Sequence, residues 1–304
     1  MEYILETQNL TKVYGQKEAA KDVNLHIREG QIYGLIGRNG AGKTTIMRMI
    51  SGLSTPTRGT YSLFGKTGYE KGKMLRHVGV LIEHPGLYPR LSAQENLKIK
   101  CLGMGINPKV QVGELLRTVG LENVDPKKNA GSFSLGMRQR LGIALALVGD
   151  PKLIVLDEPT NGLDPQGIVE VRETLSRLRD ERHITIMISS HILDELARVA
   201  DAYGIIHEGS MLDEFSAEEL HKRSGQSVVI RTNHAENTKK VLEQLGIQAA
   251  VQEDGSVEIR EHLDQTPAMA KAIVNAGLEL REIYQRSLTL EEYYLGVTGG
   301  KHNG

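Results

Sequence analysis

A glycine-rich segment with a lysine and a threonine gives the first sign of chemistry. Residues 37–44 read Gly-Arg-Asn-Gly-Ala-Gly-Lys-Thr, which fits the pattern of a phosphate-binding loop. Glycines let several backbone N–H groups turn toward one anion, and the start of the next helix adds partial positive charge. Lys43 would reach the β- and γ-phosphates, and the Thr44 hydroxyl would hold Mg²⁺. The predicted nucleotide-binding residues here are Gly37, Arg38, Asn39, Gly40, Ala41, Gly42, Lys43, Thr44 and Thr45.

Polar side chains follow three further apolar runs. They are Glu83 after residues 78–82, Asp157 and Glu158 after 153–156, and His191 shortly after 184–188. In an open parallel sheet the ligand lies outside the carboxyl ends of the strands, so we expect these side chains to converge there. Asp157 suits a metal-holding carboxylate, and Glu158 suits the general base that activates a water.

Each of these side chains also has a plainer interpretation. An acidic pair after an apolar run is often a solvated strand end, and His191 could be a helix-start histidine with Ser190 as the cap. Tyr14 lies upstream of the glycine-rich segment, where a tyrosine either packs or stacks on adenine. Together, the strand ends favour a phosphate site.

The elements that must position these residues are those of an α/β fold. Short runs that are apolar on both faces alternate with helical patterns, as expected for buried parallel strands; they cover residues 32–36, 78–82, 153–156 and 184–188. Alternating segments before residue 32 and around residues 60–64 predict a smaller antiparallel sheet. Residues 91–131 show helical runs with no strand between them, which predicts a helical insertion.

A change of composition near residues 222–226 predicts a domain boundary. We expect one domain over residues 1–222, with a helical subdomain at about 88–150, and a small C-terminal accessory α+β domain over residues 226–304. The accessory segment reads as a strand, a helix, a hairpin around Asp254-Gly255 and a second helix. No motif in it carries recognisable chemistry.

Bulk composition narrows the class of protein. The 304 residues include 37 Lys and Arg against 38 Asp and Glu, and the basic residues are dispersed, which argues against a nucleic-acid binder. Cys101 is the single cysteine, so no internal disulfide can form. The start lacks the layout of a signal peptide, and no apolar run approaches the roughly 20 residues of a membrane helix. We therefore expect a cytoplasmic protein whose partner does any spanning.

Residues 133–137 suggest the family. They read Phe-Ser-Leu-Gly-Met and resemble the signature motif of ABC ATPases, whose usual form begins Leu-Ser-Gly-Gly-Gln. Ser134 and Gly136 at a helix start offer a second anion-binding helix end in a chain with one phosphate loop. The economical interpretation is a head-to-tail pair, in which this segment of one copy closes over the ATP held by the other.

The resemblance to ABC transporter ATP-binding subunits covers about residues 1–220. It implies a P-loop fold of ABC type, with a mixed sheet, an antiparallel β subdomain and a helical subdomain. It implies ATP and Mg²⁺ as ligands, Tyr14 as the adenine-stacking aromatic, Asp157 and Glu158 as Walker B carboxylate and base, Asp164 in the D-loop, and His191 as the switch histidine.

One position departs from the usual pattern. The family normally has Gln where this chain has Glu83; a carboxylate can ligate Mg²⁺ but adds negative charge near the γ-phosphate. The alternative is a neutral replacement. The same Glu, and the tail at residues 287–295, resemble ATPases of the bacitracin and lantibiotic efflux type, which implies export of a peptide antibiotic or a similar amphiphile.

We therefore expect an ATPase that works as a homodimer on integral membrane permease subunits, at the cytoplasmic face of the membrane. The rival hypothesis is a soluble ABC ATPase of translation or DNA repair. Translation-type members carry two cassettes and repair-type members carry long coiled coils, and this sequence shows neither. An ordinary P-loop kinase or GTPase would leave residues 134–140 unused.

Overall fold

The chain folds into two compact units in the computed structural model. The structure describes residues 3–223, 227–286 and 289–299. One unit extends up to Ala217 and the other begins at Glu218. The predicted boundary residues 224–226 and the first two residues of the tail motif, 287–288, lie outside the described residues. No helix in the described ranges is long and apolar enough to span a membrane.

The first unit alternates strands with helices. Its strands are β1 (Tyr3–Tyr14), β2 (Lys17–Val23), β3 (His26–Arg28), β4 (Ile32–Ile36), β5 (Arg58–Leu63), β6 (Val78–Leu81), β7 (Leu153–Asp157), β8 (Thr185–Ser190), β9 (Ala202–His207) and β10 (Ser210–Ser216). Its helices are α1 (Lys43–Ile50), α2 (Gly68–Met74), α3 (Ala93–Gly103), α4 (Pro108–Thr118), α5 (Leu135–Ala146), α6 (Pro165–Arg182) and α7 (Leu193–Ala197). A further helix, α8 (Ala217–Arg223), begins at the last residue of this unit.

A six-stranded sheet forms the centre of this unit, in the order β10-β9-β4-β8-β7-β6. Five strands are parallel and β10 pairs antiparallel with β9. Every residue of β4, β7 and β8 is buried, because these strands are apolar on both faces and are covered on both sides. β4, β8, β7 and β6 are neighbours, so the predicted polar strand ends lie along one edge.

A second, antiparallel sheet places β1 beside β2, β3 and β5. Side chains from this sheet, such as Leu5 and Leu63, share one hydrophobic core with Tyr33 of β4 and Met47 of α1. The helix that begins at the phosphate loop is thus fixed between the two sheets. The predicted mixed architecture is confirmed.

The helical insertion consists of α3, α4 and α5, which pack against one another. α3 starts with a capping box between Ser92 and Glu95, in which each side chain accepts from the other's backbone N–H. Leu97, Cys101 and Leu115 are buried between the helices. The insertion separates β6 from β7 in the chain although these strands are neighbours in the sheet.

After α8, most of which belongs to it, the second unit has the element order β-α-β-β-α-β followed by a helix. Its elements are β11 (Ser227–Thr232), α9 (Ala235–Gln244), β12 (Ala250–Val251), β13 (Val257–Ile259), α10 (Thr266–Asn275), β14 (Leu280–Arg286) and α11 (Leu290–Val297). The strands form an antiparallel sheet in the order β12-β13-β11-β14, the arrangement of a split βαβ fold. Residues such as Val228, Leu242 and Ile273 form its core.

Candidate functional site

The glycine-rich segment connects β4 to α1 and is held in a conformation that needs glycine. Gly42 has φ +110°, and a Cβ there would lie 2.4 Å from the Ala19 carbonyl oxygen. A Cβ on Gly37 would lie 2.6 Å from the Ile206 carbonyl oxygen. Both glycines therefore allow a close approach of backbones, as a loop that wraps an anion requires. α1 begins directly after this loop, so its free N–H groups point toward it.

An open cleft of about 830 Å³ lies over this loop. Its lining combines the loop with groups from other strand ends: Tyr14, Lys17, Ala19, Arg38, Asn39, Gly40, Gly42, Lys43, Thr44, Thr45, Glu83, His84, Leu135, Gln139, Asp157, Glu158 and Asn161. Gly37 and Ala41 form the loop without lining the cleft. Tyr14, at the end of β1, lines the cleft and is 48% exposed.

The Lys43 ammonium lies inside the loop. Its Nζ donates to the Gly37 carbonyl at 2.6 Å and lies 3.0 Å from Oε1 of Glu158. The side chain is only 5% exposed, so its charge is balanced by this carboxylate and by backbone dipoles. A nucleotide phosphate entering the loop would compete for the same ammonium.

Glu158 connects the loop to His191. Its Oε2 lies 2.5 Å from His191 Nδ1, and its backbone has φ +49°, a conformation that few residues other than glycine adopt. His191 is not among the cleft-lining residues, but through this contact it bears directly on the carboxylate. The side chain of His191 is about one third exposed, which leaves it free to meet a ligand.

Asp157 is oriented by two hydroxyls. Its Oδ2 accepts from Thr44 Oγ1 at 2.7 Å and its Oδ1 accepts from Ser189 Oγ at 2.6 Å. A carboxylate and a hydroxyl in contact are the oxygen donors that Mg²⁺ prefers. In the described part of the chain no three His, Cys, Asp or Glu side chains form a cluster able to hold a metal ion. The Thr44 and Asp157 oxygens fit part of the oxygen shell of Mg²⁺, which phosphate oxygens of a bound nucleotide would complete.

Glu83, the third predicted metal ligand, is paired differently. Its Oε1 lies 2.6 Å from a terminal nitrogen of Arg48, a residue in the last turn of α1. Glu83 lines the cleft and has φ +65°. The Glu83 carboxylate thus lies at the cleft, but its partner is the Arg48 guanidinium.

Three residues of the predicted nucleotide set do not line this cleft, although Leu135 and Gln139 of the same helix as Gly136 do. Ser134 caps α5, where its Oγ accepts from Met137 N at 3.2 Å, and Gly136 lies in the first turn. Asp164 caps α6, where its Oδ1 accepts from Gly167 N at 3.1 Å. α5 begins at Leu135 with Ser134 as its cap, so Ser134 and Gly136 lie at a helix start as the sequence predicts.

Several residues at the site were not predicted. Ser189 donates to Asp157 and also accepts from the Glu158 N–H at 2.9 Å. Two serines, Ser189 and Ser190, end the fully buried strand β8, and this pattern could have indicated Ser189 as a site residue. Arg48 had no such signal, because its position depends on how α1 packs rather than on local sequence.

A partly buried network around Tyr33 supports β4 just before the loop. Tyr33 Oη donates to Glu214 Oε1 at 2.8 Å, and the other Glu214 oxygen lies 2.8 Å from His26 Nδ1. Burial, followed by the nearby Glu214 charge and this hydrogen bond, raises the pKa of Tyr33 well above its ordinary value. Tyr33 therefore stays neutral and fixes the strand.

Known proteins resemble this chain along its whole length. The sequence profile of the family described as ABC transporter matches residues 20–161. The bacitracin transport ATP-binding protein BcrA of Bacillus licheniformis is 42% identical over 303 residues, covering 99% of both chains. The lantibiotic transport ATP-binding protein SrtF of Streptococcus pyogenes is 46% identical over 209 residues, covering 69% of this chain and 89% of its own.

Solved structures agree on the fold. The structure of cbiO1 from Clostridium perfringens, part of the ABC transporter complex cbiONQ, has a TM-score of 0.66 and 26% identity, covering 81% of this chain and 97% of its own. An ATP-binding subunit of an ABC transporter has a TM-score of 0.63 and 30% identity, covering 72% of this chain and 92% of its own.

Proposed function

Because this chain belongs to the ATP-binding subunits of ABC transporters and is an ATPase, we propose that it powers the export of a peptide antibiotic or a similar amphiphile. The observation that carries the proposal is the full-length match, at 42% identity, to a bacitracin transport ATP-binding protein. Glu83 at the usual Gln position and the relationship to a lantibiotic transport protein support the same substrate class.

The chemistry that we propose uses the groups at the sheet edge. Loop N–H groups and Lys43 would bind the β- and γ-phosphates, with Tyr14 against adenine. Thr44 and Asp157 would hold Mg²⁺, with Glu83 close by, and the ion would neutralise phosphate oxygens.

Glu158 Oε1 lies 3.0 Å from the Lys43 ammonium. Once phosphate takes the ammonium, the Glu158 carboxylate is free to accept a proton from the attacking water, while His191 keeps it oriented and contacts the γ-phosphate.

The proposed assembly is a head-to-tail homodimer. Ser134 and Gly136 present the start of α5, a helix end whose N–H groups suit an anion, yet neither lines the cleft of its own chain. A second copy would bring this helix end over the bound ATP, and Asp164, which caps α6, would lie near that interface. Each complete site would then contain residues of both copies.

The proposed partners are integral membrane permease subunits, which would place the chain at the cytoplasmic face of the membrane. Within the domain proposed for residues 1–222, the helical subdomain would receive the permease. This surface exposes apolar side chains on α3 and α4, among them Leu102 and Val110. For the accessory domain proposed at residues 226–304, dimer contact and regulation are both open.

Reconstitution with the membrane subunit encoded beside its gene tests this function. We expect the chain to co-purify with that protein and inside-out vesicles to accumulate a bacitracin-like peptide when ATP is supplied. Vesicles that carry Glu158→Gln serve as the control and should not accumulate it. ATPase activity stimulated by ribosomes or DNA, with no membrane partner recovered, would contradict the proposal in favour of a soluble role.

A further inference from the structure

The ion pair between Arg48 and Glu83 joins two parts of the nucleotide site. Arg48 lies in the last turn of α1, the helix that begins at the phosphate loop. Glu83 follows β6, on the segment that leads into the helical insertion, and lines the cleft. The 2.6 Å contact therefore connects the phosphate-binding helix to the segment that precedes α3.

Exposure of the pair excludes a large role in folding. The Arg48 side chain is 39% exposed and that of Glu83 is 56% exposed. Ion pairs in contact with water contribute little to stability. The position of its charges beside the cleft is therefore of more interest than its contribution to stability.

The ligand of this cleft is a polyanion, and Glu83 adds a negative charge to the wall that faces it. Like charges at short range oppose binding, and a cleft with a protein wall screens them less than open water does. Arg48, which does not line the cleft, supplies the positive charge that offsets the Glu83 carboxylate.

We propose that Arg48 is a positioning residue that neutralises Glu83 and holds it at the cleft wall, so that a carboxylate can occupy this position without weakening ATP binding. Arg48 does not line the cleft, so it acts through Glu83 rather than on phosphate. This inference concerns ATP binding by the chain and holds whichever molecule is exported.

Affinity measurements on four variants of the full chain test the inference. The variants are Arg48→Gln, Glu83→Gln, the double variant and Lys73→Gln; the probe is a non-hydrolysable ATP analogue with Mg²⁺, titrated calorimetrically at low salt. Arg48→Gln should bind about 5- to 10-fold more weakly, because Glu83 is left uncompensated. The double variant should return to within about twofold of the parent, because both charges are gone.

Lys73→Gln is the matched control. Lys73 forms a 2.7 Å pair with Glu70 on α2, and these side chains are 52% and 56% exposed. Removing this cation outside the cleft should leave affinity unchanged. The Arg48→Gln effect should also shrink as salt rises, since salt screens exposed charges.

Two results would overturn the inference. A double variant as weak as Arg48→Gln would mean that Arg48 contacts the nucleotide itself, and affinity unchanged in Arg48→Gln would mean that the pair has no role in binding. If Arg48→Gln does not fold, the Glu83→Gln variant tests the proposal by itself. Arg48 is then unpaired and should tighten binding of the ATP analogue about two- to threefold. Unchanged affinity of Glu83→Gln would contradict the proposal. Each result is independent of any transport measurement.

Discussion

The carboxylate of Glu158 lies 3.0 Å from the ammonium of Lys43. The candidate base and the phosphate-binding lysine thus form an ion pair. Such a contact lowers the penalty of holding a buried ammonium beside a partly buried carboxylate. A phosphate that binds Lys43 would therefore compete with Glu158 for this ammonium.

Glu158→Gln should keep ATP binding and lose turnover. Glutamine still fits between Lys43 and His191, but it accepts a proton far less readily, so kcat should fall by about 10² to 10⁴-fold. Phosphate release under saturating ATP measures the effect, and Glu181→Gln on the exposed face of α6 is the control. Turnover within about threefold of the parent would remove Glu158 from the role of base.

His191→Ala should reduce kcat by a larger factor than it weakens ATP binding. The imidazole positions Glu158 through the 2.5 Å contact, and loss of positioning by a neighbour lowers rates by about 10- to 100-fold. Steady-state kinetics separate kcat from KM, and His234→Ala in the second unit is the matched control. A change confined to KM would show that His191 binds nucleotide without orienting the base.

Ser189→Ala should impair catalysis although Ser189 does not line the cleft. Its hydroxyl donates to Asp157 and accepts from the Glu158 N–H, so the variant leaves that N–H unsatisfied and releases Asp157. We expect kcat to fall about tenfold and stability to fall by about 1 to 3 kcal/mol. Ser51→Ala is the control, because in the described structure its buried hydroxyl has no partner. Equal effects of the two changes would contradict a specific role for Ser189.

Tyr33→Phe should lower stability in a pH-dependent way. The variant loses the hydrogen bond to Glu214, at a cost of about 1 to 2 kcal/mol at neutral pH. The pKa of Tyr33 is raised in the folded state, so the folded protein holds this proton more tightly than the unfolded chain. Its contribution is therefore complete below about pH 10 and declines as pH rises above that value.

Denaturation of the parent and of Tyr33→Phe at about pH 8 and about pH 11 checks this dependence. The difference in free energy of unfolding should narrow at the higher pH. A difference that stays constant would show that Tyr33 titrates as an ordinary tyrosine.

The parallel sheet was predictable because its strands are apolar on both faces. The run at residues 32–36 coincides with β4 (Ile32–Ile36), and the fold rule for parallel sheets was enough to place the strand ends at one edge. The strands β9 and β10 were not predicted. They carry charged and glycine residues within short runs, so pairing with β4 and with each other decides their conformation.

Contacts between distant residues limited the prediction of the site. Ser189 and Asp157 meet because β7 and β8 pair in register, and Arg48 meets Glu83 because of the orientation of α1. Neither the register between two strands nor the orientation of a helix can be predicted from a local sequence pattern. The placements of Ser134 and Asp164 as helix caps, by contrast, follow from the residues themselves.

The mass of Glu158→Gln in solution tests most directly whether two copies form the site. With ATP and Mg²⁺, sedimentation should give a dimer of about twice the monomer mass, and without nucleotide a monomer. Adding Ser134→Asp keeps a good helix cap but sets a negative charge against the phosphates, so the double variant should stay monomeric. A Glu158→Gln protein that binds ATP and remains monomeric, or a dimer that survives Ser134→Asp unchanged, would contradict the shared site.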